Sequence, residues 1–273
     1  MLLSRKLLNN PASAEPDLPI ALADWTEDQE MDATEVDWGP RGITWKPDGT
    51  KFWLVNARGR TSSQSGWTYT YTCSTAWDIS THSYVSGEFA DLTPGMMAFL
   101  ISSDGDTIFR IEHDLISKHS LSTSWDVSTF GSATQTLSTS TYSVGNRDAF
   151  FSSDGTKLFT CGASSDTIES WTLSTGFDLS TASHTATFDA SGDSSAPSGI
   201  ALNDDGTRLW YTNGVGIWEK SMSTAYDLST LSAVDDRNPA NAGTLGSIVF
   251  KPDFTKAWIC DFSADTLNEL GTS

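Results

Sequence analysis

The sequence predicts an all-β fold in which one structural unit is repeated five times, and two recurring markers carry this prediction. The first marker is an Asp in a turn of the Asp-Gly-Thr type, which recurs at steps of 56, 50, 51 and 48 residues. The second is the motif Ser-Thr-x-aromatic-Asp-x-Ser-Thr, found between successive turns. A period near this length is typical of propellers and solenoids. The turn residues are Asp48, Asp104, Asp154, Asp205 and Asp253, and the motif aromatics are Trp77, Trp125, Phe177 and Tyr226.

The copy that starts at Ala149 shows what each unit contains. Ala149–Ser152 is a short apolar run, an Asp-Gly hairpin signal follows, and Lys157–Cys161 is a second β-prone run. Thr167–Leu173 alternates apolar and polar residues, and Ser183–Phe188 gives a weaker fourth strand. Each unit is therefore expected to be a four-stranded antiparallel meander.

Units of this kind must stack on one another, because a single four-stranded sheet cannot bury both of its faces. Radial stacking of five units gives a five-bladed β-propeller. The last unit stops at Ser273, before its fourth strand, while Trp25 stands 23 residues before the first turn and is expected to be a fifth motif aromatic. We expect a strand within Glu27–Val36 to complete the blade that residues 246–270 begin.

Two segments are expected: an extended N-terminal arm, residues 1–24, and a propeller, residues 25–273. Eleven Trp and 13 Phe supply the apolar surface for the propeller. The arm contains three prolines, and Arg5 and Lys6 interrupt its apolar residues, so it does not have the form of an ordinary signal peptide. It is either a disordered tail or a device that docks the propeller onto other subunits of an assembly.

The charge balance disfavours two classes of partner. With 16 basic and 35 acidic residues the formal net charge is −19, and such a chain is repelled by nucleic-acid backbones and by anionic membranes. No run approaches the roughly 18 apolar residues of a membrane span. The cysteines Cys73, Cys161 and Cys260 lack metal-type spacing and are expected to be buried thiols. We expect no metal, no cofactor, no nucleic acid and no membrane insertion.

Blade one carries an insertion, residues 56–66, between its second and third strands. Long loops on rigid scaffolds often bind ligands, and the aromatic residues after the insertion share one strand face. The alternative is a solvated loop beside aromatics that pack on the neighbouring blade. The candidate ligand-binding residues are Arg58, Arg60, Trp67, Tyr69 and Tyr71.

The central channel is the place to look for catalysis. Counting seven and six residues back from each turn Asp gives mainly small residues, and the charged ones are Arg41, Arg147 and Asp148, which are expected to cluster at one mouth. Glycoside hydrolysis needs two carboxylates, and these positions supply one. Glu112 is the best candidate for a second acid from a loop. No catalytic residue is assigned.

The recurring motif aromatics are expected to pack between the third and fourth strands rather than to stack on sugars. The Asp that follows each of them fits an Asx turn at the same corner.

Two families resemble these repeats. FSSDGTKLFTCGASSDTIESWTLST resembles the SPDGTKLYV-type repeats of YVTN and lactonase-like propellers, and LSTxWDxSTAS is similar to repeats of bacteriophage and marine-virus structural and tail proteins. The resemblance covers about Trp25 to Ser273. The lactonase-like group implies metal-ligating carboxylates near the channel, which this sequence does not match. The phage resemblance implies a virion component.

The predicted function is therefore that of a non-enzymatic phage virion structural protein, assembled in the host cytoplasm. It would be a tail or receptor-binding knob, or a capsid decoration, anchored to other virion subunits by residues 1–24 and presenting its propeller to a host glycan or surface ligand. The alternatives are a glycoside hydrolase or lactonase-like enzyme, and a protein-interaction scaffold inside a larger assembly.

Overall fold

Five four-stranded antiparallel sheets make up the protein in a computed structural model, which describes residues 25–33, 39–56, 67–91, 95–193, 195–214, 216–237 and 244–271. The sheets are the blades of a five-bladed propeller, as predicted. In chain order the strands are β1 (Thr26–Asp32), β2 (Pro40–Trp45), β3 (Lys51–Asn56), β4 (Trp67–Cys73), β5 (His82–Asp91), β6 (Met96–Ile101), β7 (Thr107–Glu112), β8 (Leu115–Leu121), β9 (Phe130–Ser138), β10 (Asn146–Phe151), β11 (Lys157–Gly162), β12 (Thr167–Leu173), β13 (Ala182–Asp189), β14 (Gly199–Leu202), β15 (Arg208–Thr212), β16 (Ile217–Met222), β17 (Leu231–Arg237), β18 (Leu245–Phe250), β19 (Lys256–Asp261) and β20 (Thr266–Gly271).

The ring closes through strand β1, which pairs antiparallel with β20 and completes blade five. Thr26 lies opposite Gly271, and Met31, opposite Leu267, is 3% exposed. The predicted closure is confirmed. The strand covers Thr26–Asp32, and the end of the range expected for it, residues 34–36, lies outside the described residues.

The prediction that Trp25 is the fifth motif aromatic is wrong. Strand register makes Trp25 the counterpart of His82, the first residue of a fourth strand, because Thr26 pairs with Gly271 as Ser83 pairs with Thr72. In blade five the turn glycine is replaced by Phe254, with φ of 53°. Phe254 and Trp25 both contact the Phe250 ring and fill the corner that a motif aromatic fills elsewhere.

The two ends of the channel differ in what they contain. Each innermost strand (β2, β6, β10, β14 and β18) runs from one end, here named the mouth face, to the end where the Asp turns lie, named the turn face.

Each innermost strand contacts those of the two neighbouring blades. An apolar cluster fills each of the five blade interfaces, so the ring is held together mainly by burial of apolar side chains.

At the turn face each motif aromatic packs on a turn glycine of its own blade. Phe177 has φ of 61°, Gly155 has φ of 70°, and a Cβ added to Gly155 would lie 2.4 Å from the Phe177 ring. Asp178 then accepts hydrogen bonds from the Ser180 backbone N–H (3.0 Å) and hydroxyl (2.6 Å). The predicted Asx turn is confirmed, whereas the aromatic packs on the turn between the first and second strands and not between the third and fourth. The last three residues of the motif form a short 3-10 turn in blades one to four, at Ile79–Thr81, Val127–Thr129, Leu179–Thr181 and Leu228–Thr230.

Candidate functional site at the channel mouth

The predicted channel residues are positioned by β-bulges near the start of the innermost strands. The register between the first and second strands shifts at Arg41, Met97 and Arg147, each of which stands seven residues before its turn Asp. A bulge inserts one extra residue and redirects its side chain. At the mouth face these three side chains therefore do not follow the regular alternation of side chains between the two faces of the strand.

Arg41 and Arg147 line a single pocket at this mouth. The pocket is partly open to solvent and small, with a cavity volume of about 20 Å³, which is room for about one water molecule. Blades one, three, four and five all contribute to its wall, so it lies over the centre of the ring. The lining residues are Arg41, Arg147, Ser198, Thr244, Leu245, Gly246 and Phe262.

The Arg41 guanidinium lies over the ring of Phe262, with its central carbon 4.0 Å from the ring centroid. Such a cation–π contact helps to hold the guanidinium in place. The Phe262 ring is itself fixed by close approach to Gly39, whose φ is 71° and where an added Cβ would lie 2.3 Å from the ring. Arg41 is thus held in place by an aromatic wall.

Arg147 has a different environment. Its Nη1 lies 3.2 Å from Met97 Sδ, and among the described residues it forms no ion pair. Burial lowers the pKa of Arg147 below its usual value, yet a guanidinium stays protonated at neutral pH. The pocket therefore contains a partly desolvated positive charge whose hydrogen-bond contact is with a weak acceptor.

Asp148 lies one residue deeper and is 1% exposed. Its Oδ1 accepts from the Ala149 N–H (2.9 Å), and its Oδ2 accepts from the Ile200 N–H (3.2 Å) and the Ser247 hydroxyl (2.7 Å). These donors belong to blades three, four and five, and blades three and five are not neighbours. The Asp148–Ser247 bond therefore crosses the channel beneath the pocket, and Asp148 joins blades together.

The innermost strands approach one another closely at this level, as the small residues predicted. A Cβ added to Gly199 would lie 2.4 Å from the Gly246 carbonyl oxygen, and one added to Gly246 would lie 2.5 Å from the Arg41 carbonyl oxygen. Backbone occupies the space that larger side chains would need. Below the pocket the centre of the ring is packed.

The blade-one candidates extend from the mouth face into the core. Trp67 is half-buried and pairs with Asn56, which lies opposite Pro40 at the mouth face. Tyr69, two residues further along the same strand, is also half-buried. Tyr71 is fully buried and stacks on Phe52, with ring centroids 5.0 Å apart. Arg58 and Arg60 lie outside the described residues, but both ends of their loop, Asn56 and Trp67, are at the mouth face.

The candidate loop acid Glu112 lies at the mouth-face end of β7. Its Oε1 is 2.9 Å from Arg110 Nη2, and Arg110 is 6% exposed. The carboxylate is thus engaged with a buried guanidinium of its own strand. Among the described residues no group of three or more His, Cys, Asp or Glu side chains could hold a metal ion.

The three cysteines are buried thiols, as predicted. Burial raises the pKa of Cys73 to about 11, which makes its thiolate scarce at neutral pH. In the part of the chain that the structure describes, no helix is long and apolar enough to cross a bilayer.

Sequence reasoning missed three lining residues, namely Thr244, Leu245 and Phe262. Thr244 directly precedes β18, Leu245 is the first residue of that strand, and Phe262 lies in the turn after β19. Their proximity to Arg41 therefore depends on how blades five and one meet. One signal was present. Phe262 is an aromatic residue in a turn otherwise composed of Asp, Ser and Ala.

No family model and no curated protein matches the chain, but several solved structures share its fold. A luciferin-regenerating enzyme gives a TM-score of 0.55 at 10% identity, covering 89% of this chain and 95% of that one. The periplasmic gluconolactonase of Pseudomonas aeruginosa gives 0.52 at 15% identity, covering 85% and 66%. A functionally unknown protein from Desulfotomaculum acetoxidans DSM 771 gives 0.50 at 12% identity, covering 81% and 64%.

This chain therefore spans slightly less than two thirds of the latter two structures. At these identities the likeness shows the fold alone. The predicted resemblance to lactonase-like propellers holds at that level.

Proposed function

We propose that the protein is a non-enzymatic attachment protein that binds a glycan or another surface ligand at its mouth face. The resemblance of the repeats to those of phage structural and tail proteins is the reason for proposing a virion setting, as a tail or receptor-binding knob or a capsid decoration. Residues 1–24 would join it to the other subunits of the particle.

The observation that carries this proposal is the separation of the chain ends from the pocket. Thr26 pairs with Gly271, and Gly271 pairs with Lys256, which directly follows the fifth Asp turn. Trp25, the first described residue, therefore lies at the turn face, opposite the Arg41–Arg147 pocket. An anchor on one face leaves the other free to meet a ligand.

The mouth face also gathers the features suited to binding. The pocket, Trp67 and both ends of the blade-one insertion are all there, whereas the turn face is occupied by Asp-capped turns and packed aromatics. Ligand sites on propellers and barrels commonly lie at one end, where loops from several units meet.

A hydrolase is the second candidate. It is supported by fold likeness to a gluconolactonase and needs a pair of acids at the mouth. Of the acids considered, Asp148 is committed to holding three blades together and Glu112 is engaged with Arg110. This arrangement favours binding over catalysis.

The test is to incubate the purified protein with a panel of bacterial surface polysaccharides, and to measure both retention and release of reducing ends. We expect retention without cleavage, weakened in Trp67→Ala. The matched control is Val234→Ala, which removes an exposed apolar side chain (48% exposed) from the outer strand of blade four. Cleavage would establish the enzyme instead, and neither retention nor cleavage would favour a scaffold.

A further inference from the structure

We propose that the outer edge of blade two is a contact surface for a second copy of this chain, with the two β9 strands paired antiparallel about a two-fold axis. The contact does not involve the channel-mouth pocket, and it does not depend on the proposed function.

Strand β9 differs from the other outer strands because it carries no charged residue. Residues 127–146 contain no Asp, Glu, Lys, Arg or His, and no other run of this length in the chain lacks them. The outer strands of the other four blades each contain at least one acidic residue, and β1 contains four. Natural proteins commonly protect sheet edges from pairing by charged side chains or proline, and β9 has neither.

The edge of β9 is open to an incoming strand. Within its sheet β9 pairs with β8 on one side, and among the described residues no strand pairs with its other side. Six of its nine residues are exposed, and Phe130, Gln135 and Leu137 are half-buried. In an edge strand alternate residues direct their backbone N–H and C=O groups away from the sheet. The edge therefore offers a row of donors and acceptors.

The charge of the chain favours a second copy as the partner. With a net charge of −19, two copies repel each other wherever acidic surfaces meet, so a contact between copies needs an uncharged surface. A basic partner would instead be attracted to an acidic edge such as β1. Two antiparallel β9 strands related by a two-fold axis also present the same pattern of donors and acceptors to each other, which makes the edge self-complementary.

Apolar side chains extend this uncharged surface beyond the strand. Tyr142 and Val144, in the segment that follows β9, are 44% and 43% exposed, and only four large apolar side chains of the described residues are exposed. The Tyr142 ring is held by stacking on His184, with ring centroids 3.7 Å apart. In an antiparallel pair the residues after one β9 lie beside those before the other, residues 127–129, which are also uncharged.

The experiment is sedimentation of the purified protein over about 1–100 µM. A contact through one strand and a short segment is small and is expected to be weak, so we expect monomer at the low end and dimer at the high end. Added salt should strengthen the dimer, because it screens the repulsion between the acidic surfaces. A protein that stays monomeric over the whole range would overturn the proposal.

Thr136→Lys tests the position of the contact. Thr136 is exposed near the middle of the uncharged run, and two introduced lysines would lie close together across the two-fold axis. Like charges that face each other in an interface are costly, so we expect the dissociation constant of the dimer to rise about tenfold or more, although the variant reduces the net charge. The control is Val234→Lys, which makes the same change of charge at a residue that is 48% exposed on the outer strand of blade four. It should dimerise at least as well as the wild type, and equal weakening by the two substitutions would overturn the assignment to β9.

Hydrogen exchange of the wild-type protein gives a readout that needs no variant. The backbone amides of Phe130–Ser138 should exchange more slowly at high than at low protein concentration, because pairing protects them. The amides of β1 should exchange at the same rate at both concentrations. Protection that appears at another edge while β9 is unchanged would overturn the proposal even if a dimer forms.

Discussion

Replacing Asp148 with Asn tests whether this residue joins the blades or performs chemistry. The substitution keeps the shape of the side chain but turns one acceptor oxygen into an NH₂ donor. Oδ1 faces the Ala149 N–H, and Oδ2 faces the Ile200 N–H. In either orientation the new NH₂ meets a backbone N–H, which then loses its acceptor in a site that is 1% exposed.

The expected loss of stability follows from these contacts. A hydrogen bond to a charged group contributes about 1.5–3 kcal/mol, and an unsatisfied buried donor costs about 1–3 kcal/mol. We therefore expect Asp148→Asn to lower the free energy of unfolding by about 2–4 kcal/mol. For a chain of this size the melting temperature should fall by about 5–12 °C.

The assay is urea unfolding followed by tryptophan fluorescence, with Asp28→Asn as the control. Asp28 is exposed, and its carboxylate accepts from Thr26 at 3.2 Å, so we expect a change within about 0.5 kcal/mol. An unfolding midpoint equal to that of the wild type would refute the blade-joining role. If such a stable variant also lost a cleavage activity, Asp148 would be a catalytic acid.

Three further predictions concern the turns and the closure. Gly155→Ala should lower the melting temperature, because the residue has φ of 70° and an added Cβ would lie 2.4 Å from the Phe177 ring. The control is Gly192→Ala, which should not lower it, because no atom lies within 4 Å of a Cβ added there. Equal effects of the two substitutions on the melting temperature would contradict the argument. Met31→Ala should lower the free energy of unfolding by about 2–5 kcal/mol, measured by urea unfolding, because Met31 is buried in the closing strand. Hydrogen bonds lower the pKa of Asp178 in the folded protein, so its stabilisation is present at neutral pH and is lost as the pH falls below about 4. The melting temperature measured from pH 7 to 3 should thus fall less steeply in Asp178→Asn, and an unchanged profile would argue against this origin.

The blades were predictable because each strand signal is local and occurs several times. In the reference copy, Lys157–Cys161 was expected and Lys157–Gly162 is found, while Thr167–Leu173 is found as expected. Trp25 was misassigned because blade five lacks the motif, and the turn position of Phe254 compensates for it. The spacing from Trp25 to the first turn is shorter than the spacing from the other motif aromatics to their next turns, which already indicated that Trp25 is not one of them. Strand register, and not residue type, decides which residues of two blades are equivalent.

The site was predictable only in part. Counting back from the turns located Arg41 and Arg147, because the bulge in the inner strand lies seven residues before the turn Asp in blades one, two and three. Their contacts with Phe262 and Met97 depend on how separate blades meet around the ring, and no local pattern encodes that meeting. Likewise, nothing in the sequence around Asp148 indicated that its carboxylate would accept hydrogen bonds from Ile200 and Ser247.

The closure strand also determines how the protein would respond to mechanical force. Thr26 and Gly271 are directly paired at the turn face, so tension applied to the chain at residue 25 would load the β1–β20 pair from its end. Because β1 runs from the turn face at Thr26 to the mouth face at Asp32, a pull between residue 25 and a ligand held at the mouth would be directed along the strand. The hydrogen bonds of the β1–β20 pair would then bear the load together, in shear, rather than open one after another.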